Sequence, residues 1–244
     1  IPDLTLIHAD RVPQFADLDM LEPIEGLMAT NTDLSADNYL EVAWNAGNYE
    51  GTQYTVPLDI HGNAMYYNTD LLDKYDANTF LDDDVVTIEE ILSLDGKLDE
   101  GQYAINNALI EWVTLANVVN AGGDISDEAG NPTINTDAMR SVVEQLKSVA
   151  DAGLMSPYGE DGYAMFQSGD VLFSTDGTWT STAHGSVEGL NFGVTNIYSV
   201  TPDKFTNRSS AHLFSLLNNE DRTDEKEQGV ADFLSWMREN SLDW

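Results

Sequence analysis

The side chains able to do chemistry are abundant in one class and scarce in the others. The 244-residue chain has 43 Asp and Glu against 10 Lys and Arg, with 4 His, 5 Trp and no Cys. Without thiols there are no disulfides, thiolate metal ligands or cysteine nucleophiles, and redox compartment is left unread. Neither a GxxxxGK phosphate loop nor a GxGxxG turn occurs, so no cofactor is expected. In Gly185-Ser186-Val187-Glu188-Gly189 the serine is off the position a nucleophile elbow needs. There is no HExxH, and His8, His61, His184 and His212 are scattered along the chain, so no metal site is expected. Asp124 to Gly130 carries oxygen ligands but misses the EF-hand spacing, and Asp82-Asp83-Asp84 reads as a solvated loop. A glycosidase needs two carboxylates at a defined separation, and 43 of them single out no pair.

Local structure must position any such group. Leu4 to Ile7 reads as a strand ending at His8-Ala9-Asp10-Arg11, which puts polar groups at its C-terminal end. Ser35 can cap a helix whose apolar positions are Tyr39, Leu40, Ala43 and Ala46. Tyr54 to Pro57 and Ala64 to Asn68 read as strands flanking a polar turn, Asp59-Ile60-His61-Gly62-Asn63. Thr87 with Glu90 three residues later forms a capping box for a helix through Ile91 and Leu92. Leu109 to Ala121 has a helical period and stops at Gly122-Gly123. Thr136 caps an amphipathic helix with Met139, Val142, Val143, Leu146 and Val149 inward and Gly153 past its end. Val171 to Ser174 is a strand, with Asp176-Gly177 as a turn before Trp179, and Phe192 to Val194 and Ala211 to Leu217 are further strands. The closing helix, about Glu225 to Glu239, turns Val230, Phe233, Leu234 and Met237 inward. Trp44 and Trp236 sit beside apolar helix positions and read as core. Strands alternating with helices argue an α/β protein.

The formal net charge is −33. Nucleic-acid binding and docking on an anionic membrane are disfavoured, because both draw affinity from cations. With 42% hydrophobic and 9% aromatic residues, the chain is a folded protein rather than a disordered acidic tail. Its length suits one large domain or two lobes of roughly 100–150 residues. The acidic residues form a solvated coat that repels itself in dilute buffer and is screened by concentrated salt. This reads as a protein of an extreme halophile. The chain opens Ile1-Pro2-Asp3, without a signal peptide, lipidation motif or long apolar stretch, and reads as an internal piece of a longer protein.

Three ordered segments carry a resemblance. The first is Pro2-Asp3-Leu4-Thr5-Leu6-Ile7-His8-Ala9-Asp10-Arg11 with Phe15-Ala16 and Leu21-Glu22-Pro23-Ile24. The second runs from Tyr54-Thr55-Val56-Pro57-Leu58-Asp59 to Met65-Tyr66-Tyr67-Asn68-Thr69-Asp70-Leu71-Leu72. The third is Phe166-Gln167-Ser168-Gly169-Asp170-Val171-Leu172-Phe173, followed by Asp176-Gly177-Thr178-Trp179. Together they resemble the extracellular solute-binding proteins of ABC sugar importers, the maltose-binding-protein-like family. The resemblance implies a two-lobed, type II periplasmic-binding-protein-like α/β fold, with residues 1–67 and 196–244 in an incomplete first lobe and 68–195 in the second. It implies a solute cleft closed by hinge motion. It also implies a monomer that serves a carbohydrate and membrane permease subunits, and an extracytoplasmic, cell-surface location on a lipid-anchored parent. The family has a strand and helix before the Pro2-Asp3 segment, so the first lobe's sheet should show an open edge.

Sugar hydroxyls are met by planar polar groups, and sugar C–H faces stack on aromatic rings. By resemblance, Asp10-Arg11 matches a pair that binds sugar hydroxyls in the maltose-binding member. That member's stacking tryptophan precedes the pair, and Ile7 or His8 stands there instead, which departs from maltose specificity. Asp59 and His61 lie in the turn leading into the interlobe strand, His61 falls where that member has a ligand-contacting Glu, and Trp179 matches its stacking tryptophan. Glu111-Trp112 falls near its second-lobe acid and aromatic, and His212 is on the strand returning to the first lobe. Each also has a structural reading: surface ion pair, turn histidine or core tryptophan. The expected function is carbohydrate capture for an importer without catalysis. The alternatives are the same fold holding glycerol phosphate or a polyamine, and a glycoside-processing enzyme with a carboxylate of raised pKa.

Overall fold

The computed structural model describes residues 1–127, 129–202 and 204–241; Trp244 lies outside them. In chain order the elements are β1 (Leu4–His8), α1 (Val12–Asp17), β2 (Leu21–Glu22), α2 (Glu25–Thr30), α3 (Glu41–Asn45), β3 (Asn48–Tyr49), β4 (Thr52–Gln53) and β5 (Thr55–Asn68). There follow α4 (Thr69–Lys74), α5 (Ile88–Leu92), β6 (Tyr103–Ile105), α6 (Ile110–Asn120), α7 (Asp137–Asp151), α8 (Gly162–Gln167), β7 (Val171–Gly177), α9 (Ser181–Gly185), β8 (Phe192–Thr195), β9 (Ser209–Leu217) and α10 (Asp224–Glu239). Among the described residues no helix is long and apolar enough to cross a membrane. Two compact units result, Ile1–His61 with the chain from Ser209 onward, and Gly62–Arg208. The expected lobe boundaries near residues 67 and 195 fall inside β5 and at the end of β8.

In the first unit β9 is central. It runs antiparallel to β1, with Leu4 opposite Leu216 and His8 opposite His212, and it also borders β2 and β5. Among the described residues β1 pairs with β9 alone, so its outer edge is open, as expected. One sheet face packs Leu27, Trp44, Val56, Leu216 and Leu234 together; the other packs Ile7, Val12, Leu21 and Leu213. Each such buried side chain stabilises by roughly 1.5–3 kcal/mol. Arg222, whose side chain is 5% exposed, fastens the entry to α10 by ion pairs to Glu22 and Asp3.

Three expectations are corrected here. Ser35 opens only a one-turn 3₁₀ helix, Ala36–Asn38, with no side-chain cap bond; Tyr39 and Leu40 are extended, and α3 starts at Glu41. Phe233 and Trp236 are exposed, because α10 buries the stripe Ala231, Leu234 and Ser235 instead. Asp59 to Asn63 is no turn; β5 runs unbroken for 14 residues. Its polar middle is held extended by partners, since the His212 N–H donates to Asp59 at 3.2 Å and Asn207 Nδ2 to the Asn63 carbonyl at 2.6 Å.

In the second unit the sheet order is β8, the later half of β5, β7 and β6. β5 is antiparallel to both of its neighbours, and β6 is parallel to β7. All seven residues of β7 are buried. On one face α4 to α7 supply Leu72, Ile91, Val113, Val142 and Val149 to the core; the other face holds Tyr66, Phe166 and Val171. The capping box at Thr87 and Glu90 and the Thr136 cap of α7 form as the spacing predicts. Gly153 ends α7 at φ 71°, in the left-handed region glycine favours. Val143 is 49% exposed, since the core stripe of α7 narrows to Val142, Leu146 and Val149. Asp176-Gly177 is the end of β7, and the chain turns only at Thr178–Thr180.

Candidate functional site

The first unit brings Asp59, His61 and His212 together and adds His8. The Asp59 carboxylate accepts from His61 Nδ1 at 3.1 Å and from His212 Nδ1 at 2.9 Å, besides the His212 backbone N–H. The His61 side chain is only 10% exposed, and that of His212 is 31% exposed. Ring centroids lie 4.3 Å apart for His61 and His212, 4.6 Å for His8 and His212, and 5.5 Å for His8 and His61. Burial alone would push the Asp59 carboxyl up, but the hydrogen bonds from His212 and His61 outweigh it and hold the group below its ordinary value. With both Nδ1 atoms donating to Asp59, Nε2 is the second nitrogen of each ring. Asp59 also lines a pocket of about 240 Å³ with Tyr39, Leu40, Val56, Phe214 and Met237.

Asp10 and Arg11 occupy the turn that leaves β1, and both are exposed. They pair with each other at 3.6 Å, an exposed contact of little energetic weight.

The second unit holds the aromatic candidates. Trp179 is 52% exposed in the turn after β7, with its ring lying directly over Gly177. Glu111 and Trp112 are in the first turn of α6, with Glu111 exposed. The Arg208 guanidinium sits 4.0 Å from the centroid of the Trp112 ring, so one face of that indole is taken by a cation–π contact. Asp176, 9% exposed, is raised by burial and by the nearby Asp161 charge, partly offset by the Gly177 N–H at 2.7 Å. His184 stands apart from the other histidines, fully buried against Tyr66, Tyr163 and Phe166, and burial lowers its pKa.

A family model described as "Bacterial extracellular solute-binding protein" matches residues 1–242. The chain belongs to this family. An arabinooligosaccharide-binding protein of Halalkalibacterium halodurans is 23% identical over 198 residues, which cover 73% of this chain and 41% of that protein. Among solved structures, an ABC substrate-binding protein of Listeria monocytogenes in complex with cycloalternan aligns with TM-score 0.83 at 18% identity, over 97% of this chain and 61% of that one. UgpB of Mycobacterium tuberculosis in complex with glycerophosphocholine gives TM-score 0.81 at 16% identity, over 97% and 60%. These structural likenesses carry the fold, a periplasmic-binding-protein-like α/β architecture.

Two residues of this solute-binding protein escaped the sequence reading. His8 is not among the candidate ligand contacts of the sequence, which places it at the polar end of the first strand, yet the β1–β9 register sets it directly across from His212. Arg208 carried no signal, because its contact with Trp112 joins segments far apart in the chain. The reading that the histidines are scattered is corrected for three of them: the nitrogens that His8, His61 and His212 offer all lie within 4.8 Å of one another.

Proposed function

We propose that the protein captures a carbohydrate outside the cytoplasm and hands it unchanged to the permease subunits of an ABC importer. The observation that carries this reading is the family match running from residue 1 to residue 242. The sugar class is supported by the arabinooligosaccharide-binding relative and by the chemistry of the candidates. Trp179 leaves much of its indole exposed, as a stacking platform for sugar C–H faces would. Asp10, Arg11, Asp59, His61, Glu111, Trp112 and His212 would supply hydroxyl partners and a second ring. Likeness to UgpB extends to the fold only, and Arg11 is the one guanidinium among these candidates. A phosphodiester is therefore the weaker ligand class. The −33 charge fits a surface coat suited to concentrated salt.

The test is a tryptophan-fluorescence titration in concentrated KCl with arabino-oligosaccharides, malto-oligosaccharides and glycerophosphocholine. A saturable response to one sugar, recovered unchanged, is expected. A response to glycerophosphocholine alone would overturn the sugar class, and consumption of the sugar would overturn the receptor reading.

A further inference from the structure

We propose that His8, His61 and His212, two of which the carbohydrate reading above also uses, form a site for one divalent transition-metal ion, zinc by first choice. Three strands of the first unit converge to build it. His8 closes β1, His212 lies directly opposite on β9, and cross-strand partners share a sheet face. His61 reaches the same place from β5, its ring 4.3 Å from that of His212. One nitrogen of each ring, Nδ1 or Nε2, lies within 4.8 Å of one nitrogen of each of the others. Around tetrahedral zinc, at about 2.05 Å per bond, they would lie roughly 3.4 Å apart. Binding would require the rings to close that difference by side-chain rotation.

Asp59 completes the argument. By taking the Nδ1 protons of His61 and His212 at 3.1 and 2.9 Å, it fixes the tautomer whose Nε2 can bind metal. A carboxylate behind a ligating imidazole is the arrangement that orients metal-binding histidines. His8 is exposed and His212 half-buried, so an ion can enter from solvent and a water can take a fourth position. The acidic coat concentrates cations of every kind, but imidazole nitrogens favour zinc, nickel or copper, whereas magnesium and calcium prefer oxygen ligands.

The chelator-stripped full chain is titrated with ZnCl₂ by calorimetry, in excess MgCl₂ to occupy surface carboxylates. CoCl₂ serves as a spectroscopic probe. One equivalent of zinc and a four-coordinate cobalt spectrum are expected. Asp59→Asn should weaken zinc by roughly 10–100-fold. His8→Gln and His212→Gln, being ligand losses, should weaken it further. Asp82→Asn, in an exposed loop, should leave it unchanged. His8 is exposed, so its variant keeps the fold, which a circular-dichroism melt checks. Zinc binding abolished by magnesium, an octahedral cobalt spectrum, or affinity surviving both histidine variants would overturn the proposal.

Discussion

The exposed indole that would carry sugar stacking is positioned by a glycine, and replacing that glycine tests the placement. An ideal Cβ on Gly177 would lie 2.1 Å from Cζ2 of Trp179 and 2.2 Å from Cε2 and Cη2. The Gly177 backbone, at φ −84° and ψ 156°, suits any residue. Gly177→Ala therefore carries no conformational cost, and it gains roughly 0.4–1 kcal/mol from the unfolded chain. The penalty falls on the ring, which must withdraw by 3.4 − 2.1 = 1.3 Å to reach ordinary contact. Trp179 is 52% exposed. The other half of an indole that can bury ~250 Å² is ~120 Å², or ~3 kcal/mol if all of it is lost. A partly displaced ring, set against the alanine gain, gives an expected loss of about 1–2 kcal/mol in urea denaturation. Near-UV circular dichroism should report the moved indole. Carbohydrate affinity should fall roughly 2–13-fold if 0.5–1.5 kcal/mol of stacking goes with it. The decisive control is the Trp179→Ala background, in which Gly177→Ala should be neutral or stabilising. A loss of stability that persists without the indole would refute the reasoning.

Three further outcomes are expected. Asp176→Asn removes a carboxylate that the fold disfavours. The raised folded pKa means that wild-type stability is lost as pH rises from the ordinary 3.8 through the folded value. The variant should therefore be the more stable at neutral pH, and the gain should vanish below pH 3.8, checked by paired urea curves. Asn106→Ala takes away the buried acceptor of the Thr175 N–H (3.1 Å) and the donor to Ser174 Oγ (2.7 Å). It should cost roughly 2–4 kcal/mol by the same assay. Thr87→Ala breaks the capping box of α5 and should cost about 1 kcal/mol, with faster amide exchange at Glu90.

Local signals were legible where local chemistry decides structure. The Thr87 and Thr136 caps, the glycine after α7 and the apolar run of β1 all depend on residues within a few positions of one another. The resemblance in three segments also placed the chain in a family that spans residues 1–242. The misreadings fall where partners come from elsewhere in the chain. The sequence leaves Trp112 between ligand contact and core, and neither reading anticipates the guanidinium of Arg208 on its face. Trp236 looked like core because α10 is apolar on more than one side, and only packing shows which stripe is covered.

The largest misreading, the turn at Asp59 to Asn63, has the same origin as the histidine cluster. Period-two alternation assumes that one strand face meets an apolar core. In the middle of β5, Asp59 and His61 meet other polar residues instead, so the alternation breaks although the backbone stays extended. The partner that restores order is His212, and β9 is also what delivers His8. The polar run that hides the strand from a sequence reading is thus the run that builds the cluster. Replacing a buried ionic cluster by apolar packing of the same volume is often neutral or stabilising, so such a cluster is weak evidence of a stabilising role. Asp59 lies on β5, beside the central β9, and the zinc and sugar titrations test which ligand, if either, the cluster takes.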